Sequence, residues 1–321
     1  MTSKLLDAFL RLRSKLARPV SRRVQRLMLG IAVVVFLGGG VLAAQALELD
    51  LSSLGWGWIV ASMVIGVPLS AAANAAEYAI CSQLLTGGFG MREAVRVSVL
   101  GTAANLLPLP GAVLVRVQAL VQKGSGYRSA TAAVTMIGLS WIGVSASIAA
   151  ITLYLRGEVL AWLFLLIGVL ALVGGWLLVR RLATTRRQAV RIGLAAVAVE
   201  VGLVLVAAFR LDFVLRGLHV AVDPGQSLVL ALSGSLGAAV GVFPGGLGLR
   251  EVVAAALAPL VSLPASMGFL ASAVSYVTGL LAYSPLTAAV AAGKFDDVPV
   301  LGGTKGVMAE EETNPPSSDP D

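Results

Sequence analysis

Apolar residues run in long blocks along this chain. Six blocks, near residues 27–47, 56–80, 130–154, 158–179, 190–210 and 266–290, are almost free of charge. At about 1.5 Å rise per residue, a helix of about 20 residues crosses the roughly 30 Å hydrocarbon layer of a bilayer. Each block is therefore predicted to be a transmembrane helix. Two further segments, near 97–121 and 228–260, are also apolar but interrupted midway. The interruptions read LPLPG at 107–111 and FPGGLG at 243–248. Proline and glycine break helices, and a broken helix frees backbone N–H and C=O groups. Hydrocarbon cannot satisfy those groups, so each break is expected in a protein-lined cavity.

Composition agrees with a membrane class. The chain has 321 residues, of which 57% are hydrophobic and 13% charged, with a mean hydropathy of +0.89. A soluble domain of this size cannot hide that much apolar surface. The net charge of +7 is unevenly placed. Residues 1–26 hold eight basic residues and one acid, Asp7. Arg92, Arg96, Lys123 and Arg128 follow the second block, and Arg180, Arg181, Arg186, Arg187 and Arg191 follow the fourth. Glu48 and Asp50 follow the first block, and Arg156 and Glu158 the third. Basic and poorly basic loops alternate, which predicts a multi-pass inner-membrane protein with both termini in the cytoplasm. The charge thus reads as topology, and no nucleic-acid partner is expected.

The termini carry their own patterns. Leu5, Phe9, Leu12 and Leu16 recur at helical spacing opposite Lys4, Arg11, Lys15 and Arg18, as in an interfacial helix on an anionic leaflet. Ala44-Gln45-Ala46 also has the form of a signal-peptide cleavage site, a reading that the long basic leader opposes. Residues 293–321 are acidic and proline-rich and are expected to be a disordered cytoplasmic tail. The domain plan is therefore a basic leader at 1–26, a membrane domain at 27–292 and that tail.

The interruption recurs. LGTAANLLP at 100–108 and LGAAVGVFP at 236–244 share Leu, Gly, Ala and Pro at equivalent places, and an arginine follows each, Arg116 or Arg250. Each copy lies between two spans, within repeats of about 56–154 and 190–290. Three crossings separate the copies, so they are inverted, as in many transporters with a midplane site. Two readings of the broken segments remain: re-entrant hairpins with tips at Pro108, Pro110 and Gly111, and at Pro244, Gly245, Gly246 and Gly248, or pairs of ordinary spans. The short apolar run after Pro110 favours hairpins. The fold class is then all-α and polytopic, with six full spans and two inverted re-entrant hairpins.

Few residues in the apolar blocks carry chemistry. Arg250 and Glu251 stand where a helix begins, and a helix N-terminus plus a guanidinium fork suits a phosphate. The bland alternative is an Arg250–Glu251 pair, or Glu251 capping its own helix. Arg116 is either a second anion contact or an arginine that snorkels. Glu77, with Asn74 a turn earlier, lies near the inner end of the second block. Glu200 is the lone charge between Arg191 and Arg210, so it should pair with Arg116 or Arg250, or carry a proton. Asn105, beside the first break, is a substrate contact or a partner for freed carbonyls. One cysteine and one histidine give no basis for a metal site, and no phosphate-loop or nucleophile-elbow pattern points to a nucleotide or covalent catalysis. No cofactor is expected.

FPGGLGLRE at 243–251, about 40 residues after Glu200, resembles the second signature of the lysylphosphatidylglycerol synthase transmembrane, or flippase-like, family. NLLPLPGAVLVR at 105–116 resembles its first. A Glu that often follows the first Gly in that family has no counterpart between Gly111 and Arg116 here. The resemblance covers roughly residues 27–292. It implies lipid translocation between leaflets of a bacterial inner membrane, around a central cavity and without catalysis. The expected partner is an anionic phospholipid or a polyprenyl-phosphate-linked lipid. Some members add an aminoacyl-transferase domain; the acidic tail here gives no ground to expect lysyl transfer. Two other classes stand as alternatives: a membrane-embedded enzyme acting on lipid phosphate, and a scaffold that recruits partners through its tail.

Overall fold

The computed structural model describes residues 22–50, 52–85, 88–105, 111–240 and 246–291. All regular structure among them is helical. In chain order the helices are α1 (Arg22–Ala46), α2 (Trp56–Ser82), α3 (Met91–Ala104), α4 (Gly111–Gln122), α5 (Tyr127–Leu155), α6 (Ala161–Leu182), α7 (Arg186–Gly217), α8 (Pro224–Val240), α9 (Leu249–Leu257) and α10 (Ala265–Ala291). A π turn at Ser62–Gly66 interrupts α2, and a 3₁₀ turn at Ala258–Val261 extends α9. Helices α1, α2, α5, α6, α7 and α10 are long and apolar enough to cross a membrane, so the chain is a polytopic membrane protein. Of the expected hairpin tips, Pro108, Pro110, Pro244 and Gly245 lie outside the described residues, as do the leader helix at 4–18 and the tail.

Surface and interior are arranged for lipid. Helix α6 turns Leu163, Leu166, Val169, Leu170 and Val173 outward, all exposed, while Gly168, Ala171 and Gly175 are buried against α5. Lipid tails solvate leucine as well as protein does, so large apolar side chains gain nothing by going inside. Small residues there let the two backbones close up, and dispersion contacts hold them.

The broken segments are two antiparallel helical hairpins. In the first, Ala112 N–H donates to Asn105 Oδ1 at 3.0 Å near the turn, and Lys123 Nζ pairs with Glu93 Oε1 at 3.0 Å at the open end. In the second, Gly237 lies against Arg250 and Gly246 near the turn, and Gln226 Nε2 donates to Val261 O at 2.9 Å at the open end. Arms of 14, 12, 17 and 9 residues are each shorter than the roughly 20 that a crossing needs.

The open ends face opposite ways. Gln188 Nε2, at the start of α7, donates to Gln83 O just after α2, which places the open end of the first hairpin with the α6–α7 loop. Gly55 N–H donates to Gly217 O at 2.9 Å, and Arg156 pairs with Asp223, which places the open end of the second hairpin at the other end of the bundle. Helix contacts repeat in the same sense. Helix α2 packs on α3 as α7 packs on α8, and α4 on α5 as α9 on α10. Across the halves, α3 meets α10 as α8 meets α5, and α1 covers α10 as α6 covers α5. Helices α2 and α7 pack directly on each other between the hairpins. Three long helices per half, an odd number, turn the second half upside down relative to the first.

Helix α7 departs from expectation. Its apolar block seemed to stop at 210, yet the helix runs 32 residues to Gly217. Leu211, Val214 and Leu215 continue its buried face, and Arg216 bridges Asp212 one turn back at 2.6 Å. Arg210 consequently lies inside the helix and not at its end.

Candidate functional site

Two clusters of charge lie inside the helical bundle, one at each hairpin. The first gathers Asn74 and Glu77 from α2, Arg116 from α4 and Glu200 from α7. The spacing of Asn74 and Glu77 puts both on one face of α2. Arg116 Nη2 lies 3.6 Å from Glu77 Oε2 and 3.5 Å from Asn74 Oδ1. Tyr78 O–H donates to Arg116 O at 2.8 Å and fixes the backbone beneath it. Glu77 is 5% exposed and Glu200 1%, and the two carboxyl groups lie side by side. The charges that act on Glu200 are Glu77 and Arg116.

This changes the expected pairing. Arg116 takes Glu77 as its salt-bridge partner, and Arg250 takes Glu251. Glu200 stands behind the first pair as a second carboxyl group. Sequence distance hid the reason: Glu77 and Arg116 come from helices of the same half that the first hairpin folds together, while Glu200 arrives from the other half.

The second cluster is built at the start of α9. Gly248 has φ 80°, a conformation that costs glycine little, and it turns the chain into the helix. Glu251, fully buried, reaches back and accepts the Gly248 N–H at 2.7 Å. That is the acidic half of a capping box, so Glu251 does cap its own helix. Its other oxygen lies 3.6 Å from Arg250 Nε. The Arg250 guanidinium sits over the Tyr276 ring of α10, 5.3 Å from the centroid, a cation–π distance. Arg250 remains 23% exposed, so the fork is held from behind and open in front.

Asn105 and Arg116 add two details. Among the described residues the Asn105 side chain accepts an amide N–H at the start of α4. Arg116 is the sixth residue of α4, whereas Arg250 is the second of α9. The first arginine is therefore more than a turn away from its helix N-terminus and gains little from it. Gly111 begins α4 so close to Ala104 that a Cβ would collide with that backbone, which holds the two arms together at the turn.

Arg210 and Tyr276 were not singled out in the sequence. Arg210 Nη2 donates to Ser275 O of α10 at 2.8 Å, and the charge of Arg250 acts on it. The signal existed: LDFVL follows Arg210 without a helix breaker, so the apolar face could be continued past it. With Arg210 included, the second cluster has two arginines and one carboxyl group, and the first has two carboxyl groups and one arginine.

No protein-family model and no curated protein matches the chain.

Proposed function

We propose that the protein translocates an amphiphile with an anionic, phosphate-bearing headgroup between the leaflets of a bacterial inner membrane. The observation that carries this reading is Arg250: a half-buried guanidinium over Tyr276 at the start of α9, its fork open on one side. A cation kept inside an apolar bundle at several kcal/mol is expected to serve a ligand. In this reading the two hairpins are re-entrant, one entering from each leaflet, and their turns border the headgroup path. Arg116 is a second contact along that path. The basic end of the bundle, with the α6–α7 loop, faces the cytoplasm. The headgroup belongs to a phospholipid or to a polyprenyl-phosphate carrier, and the likeness of FPGGLGLRE and NLLPLPGAVLVR to the flippase-like signatures supports lipid as cargo.

The test is reconstitution of the full chain in vesicles of phosphatidylethanolamine and phosphatidylglycerol that carry an acyl-labelled phosphatidylglycerol. Dithionite quenches only the outer leaflet, so protein-dependent quenching beyond half reports movement. Arg250→Lys keeps the charge but loses the fork, and loss of one charge-assisted hydrogen bond of about 1.5–3 kcal/mol slows movement by about tenfold or more. Arg250→Ala abolishes it. Wild-type rates in both variants would remove Arg250 from the path.

A further inference from the structure

Arg210 is a half-buried cation that neither the sequence motifs nor the hairpins explain. Three helices shape its surroundings. From α2, the π turn at Ser62–Gly66 meets α7: Ser62 Oγ donates to Arg210 O at 3.2 Å, and a Cβ at Gly66 would collide with Arg210 Cγ. From α10, Ser275 O accepts from Arg210 Nη2, and a Cβ at Gly279 would lie 3.1 Å from that same nitrogen. From α9, Arg250 faces the next residue of α10, Tyr276. Two guanidinium groups thus rest on consecutive residues of one helix.

Among the described residues their donors are mostly unspent. A guanidinium carries five N–H donors in a rigid fork. Among the described residues Arg210 uses one of them, on Ser275 O, and the buried Nε of Arg210 and of Arg250 have no hydrogen-bond acceptor. Two cations held together repel each other unless an anion lies between them. Glu251 does not fill that role for Arg210: one of its oxygens is committed to Gly248, and its ion pair is with Arg250. Two missing side chains, at Gly66 and Gly279, make room for the Arg210 stem and fork. An arginine that served only to snorkel would need neither.

We infer that Arg210 and Arg250 together form the headgroup site, and that its ligand is a phosphodiester monoanion. This rests on the lipid-translocation reading above and narrows its substrate class. The charge count selects the ligand. Arg210, Arg250 and Glu251 sum to one positive charge, which a phosphodiester neutralises. A pyrophosphate-linked carrier brings two or three negative charges and leaves an excess anion in the apolar bundle. Two forks on one phosphate also favour phosphate over a carboxylate, because its oxygens reach in more directions.

The experiment measures binding to the purified full chain in maltoside micelles by titration calorimetry. The probes are dihexanoyl phosphatidylglycerol, geranyl pyrophosphate and inorganic phosphate. The short phosphatidylglycerol is expected to bind tightest. Arg210→Lys, which keeps the charge and the stem against Gly66, is expected to weaken it at least tenfold. Gly279→Ala, which keeps Arg210 and crowds its fork, should weaken it severalfold without loss of helix. Retained affinity in both variants overturns the two-arginine site while leaving the translocation reading intact. Tighter binding of geranyl pyrophosphate overturns the charge-based choice of ligand. Inorganic phosphate that matches phosphatidylglycerol assigns the site to a soluble anion and overturns the lipid source. Failure of the wild-type chain to bind any of the three, together with absent flipping, sinks the translocation reading itself.

Discussion

The two hairpins share a backbone plan and differ in the acidic and basic groups around them. At the first, Glu77 and Glu200 flank Arg116. At the second, Arg250 pairs with Glu251 and Arg210 lies across α10 from that pair. Helix α7 serves both clusters, because Glu200 and Arg210 lie ten positions apart, about 15 Å along the axis. Duplicated architecture therefore does not carry duplicated chemistry. The turn geometry differs in step with the charge. Helix α9 begins at a positive-φ glycine with its arginine in the first turn, whereas α4 begins at Gly111 with its arginine in the second. Among the described residues, the second hairpin brings its guanidinium to the first turn of a helix, where the dipole favours an anion. The first places a spare carboxyl group behind an arginine that is already paired. In the proposed translocation cycle the second cluster holds the headgroup and the first balances charge.

The largest effect that tests this contrast is expected at Glu251. Glu251→Ala removes the Gly248 cap and leaves Arg250 without its carboxylate. Breaking a buried pair costs about 3–5 kcal/mol, and losing a cap adds about 1 kcal/mol. A strongly lowered thermal unfolding midpoint in detergent is expected. The double change Arg250→Ala with Glu251→Ala should recover only part of it, since the cap stays lost. Full recovery would mean that Glu251 acts through charge alone.

A smaller difference separates the two hairpin glycines that the repeat aligns. A Cβ on Gly237 would lie 2.7 Å from Arg250 Cβ and 3.0 Å from its Cα, and neither atom can swing away. Gly237→Ala is expected to cost about 1–3 kcal/mol and to disturb the arginine. A Cβ on Gly101 would lie 3.6 Å from Ala112, an ordinary contact. Gly101→Ala should be neutral or stabilise by up to about 1 kcal/mol through helix propensity. Equal unfolding midpoints for the two variants would show that the hairpins are packed alike.

The smallest expected effect carries a sign. Glu77→Gln weakens the direct partner of Arg116 and should destabilise by about 1 kcal/mol. Glu200→Gln replaces a buried carboxyl group beside Glu77 with a neutral group of the same shape, and should be neutral or slightly stabilising. If Glu200→Gln unfolds at the lower temperature of the two, Glu200 and not Glu77 is the group that balances Arg116.

The sequence alone determined the membrane class and the six long helices. Length and apolarity decide those locally, since a block of about 20 apolar residues has few other places to go in water or lipid. It also marked both breaks, because proline and glycine act on their own backbone, and it marked Arg116, Glu200, Arg250 and Glu251 as charges in costly places. It showed Glu251 as a possible cap of its own helix because capping is a contact across three residues. Which acid meets which base was decided only in the tertiary structure. Glu77 and Arg116 are brought within 3.6 Å by the first hairpin folding against α2, and nothing within either segment encodes that distance. Arg210 was hidden for the same reason: its significance comes from Ser275, Gly279 and Arg250, which reach it from two other helices. The different make-up of the two clusters is likewise tertiary, because α7 lends an acid to one and a base to the other.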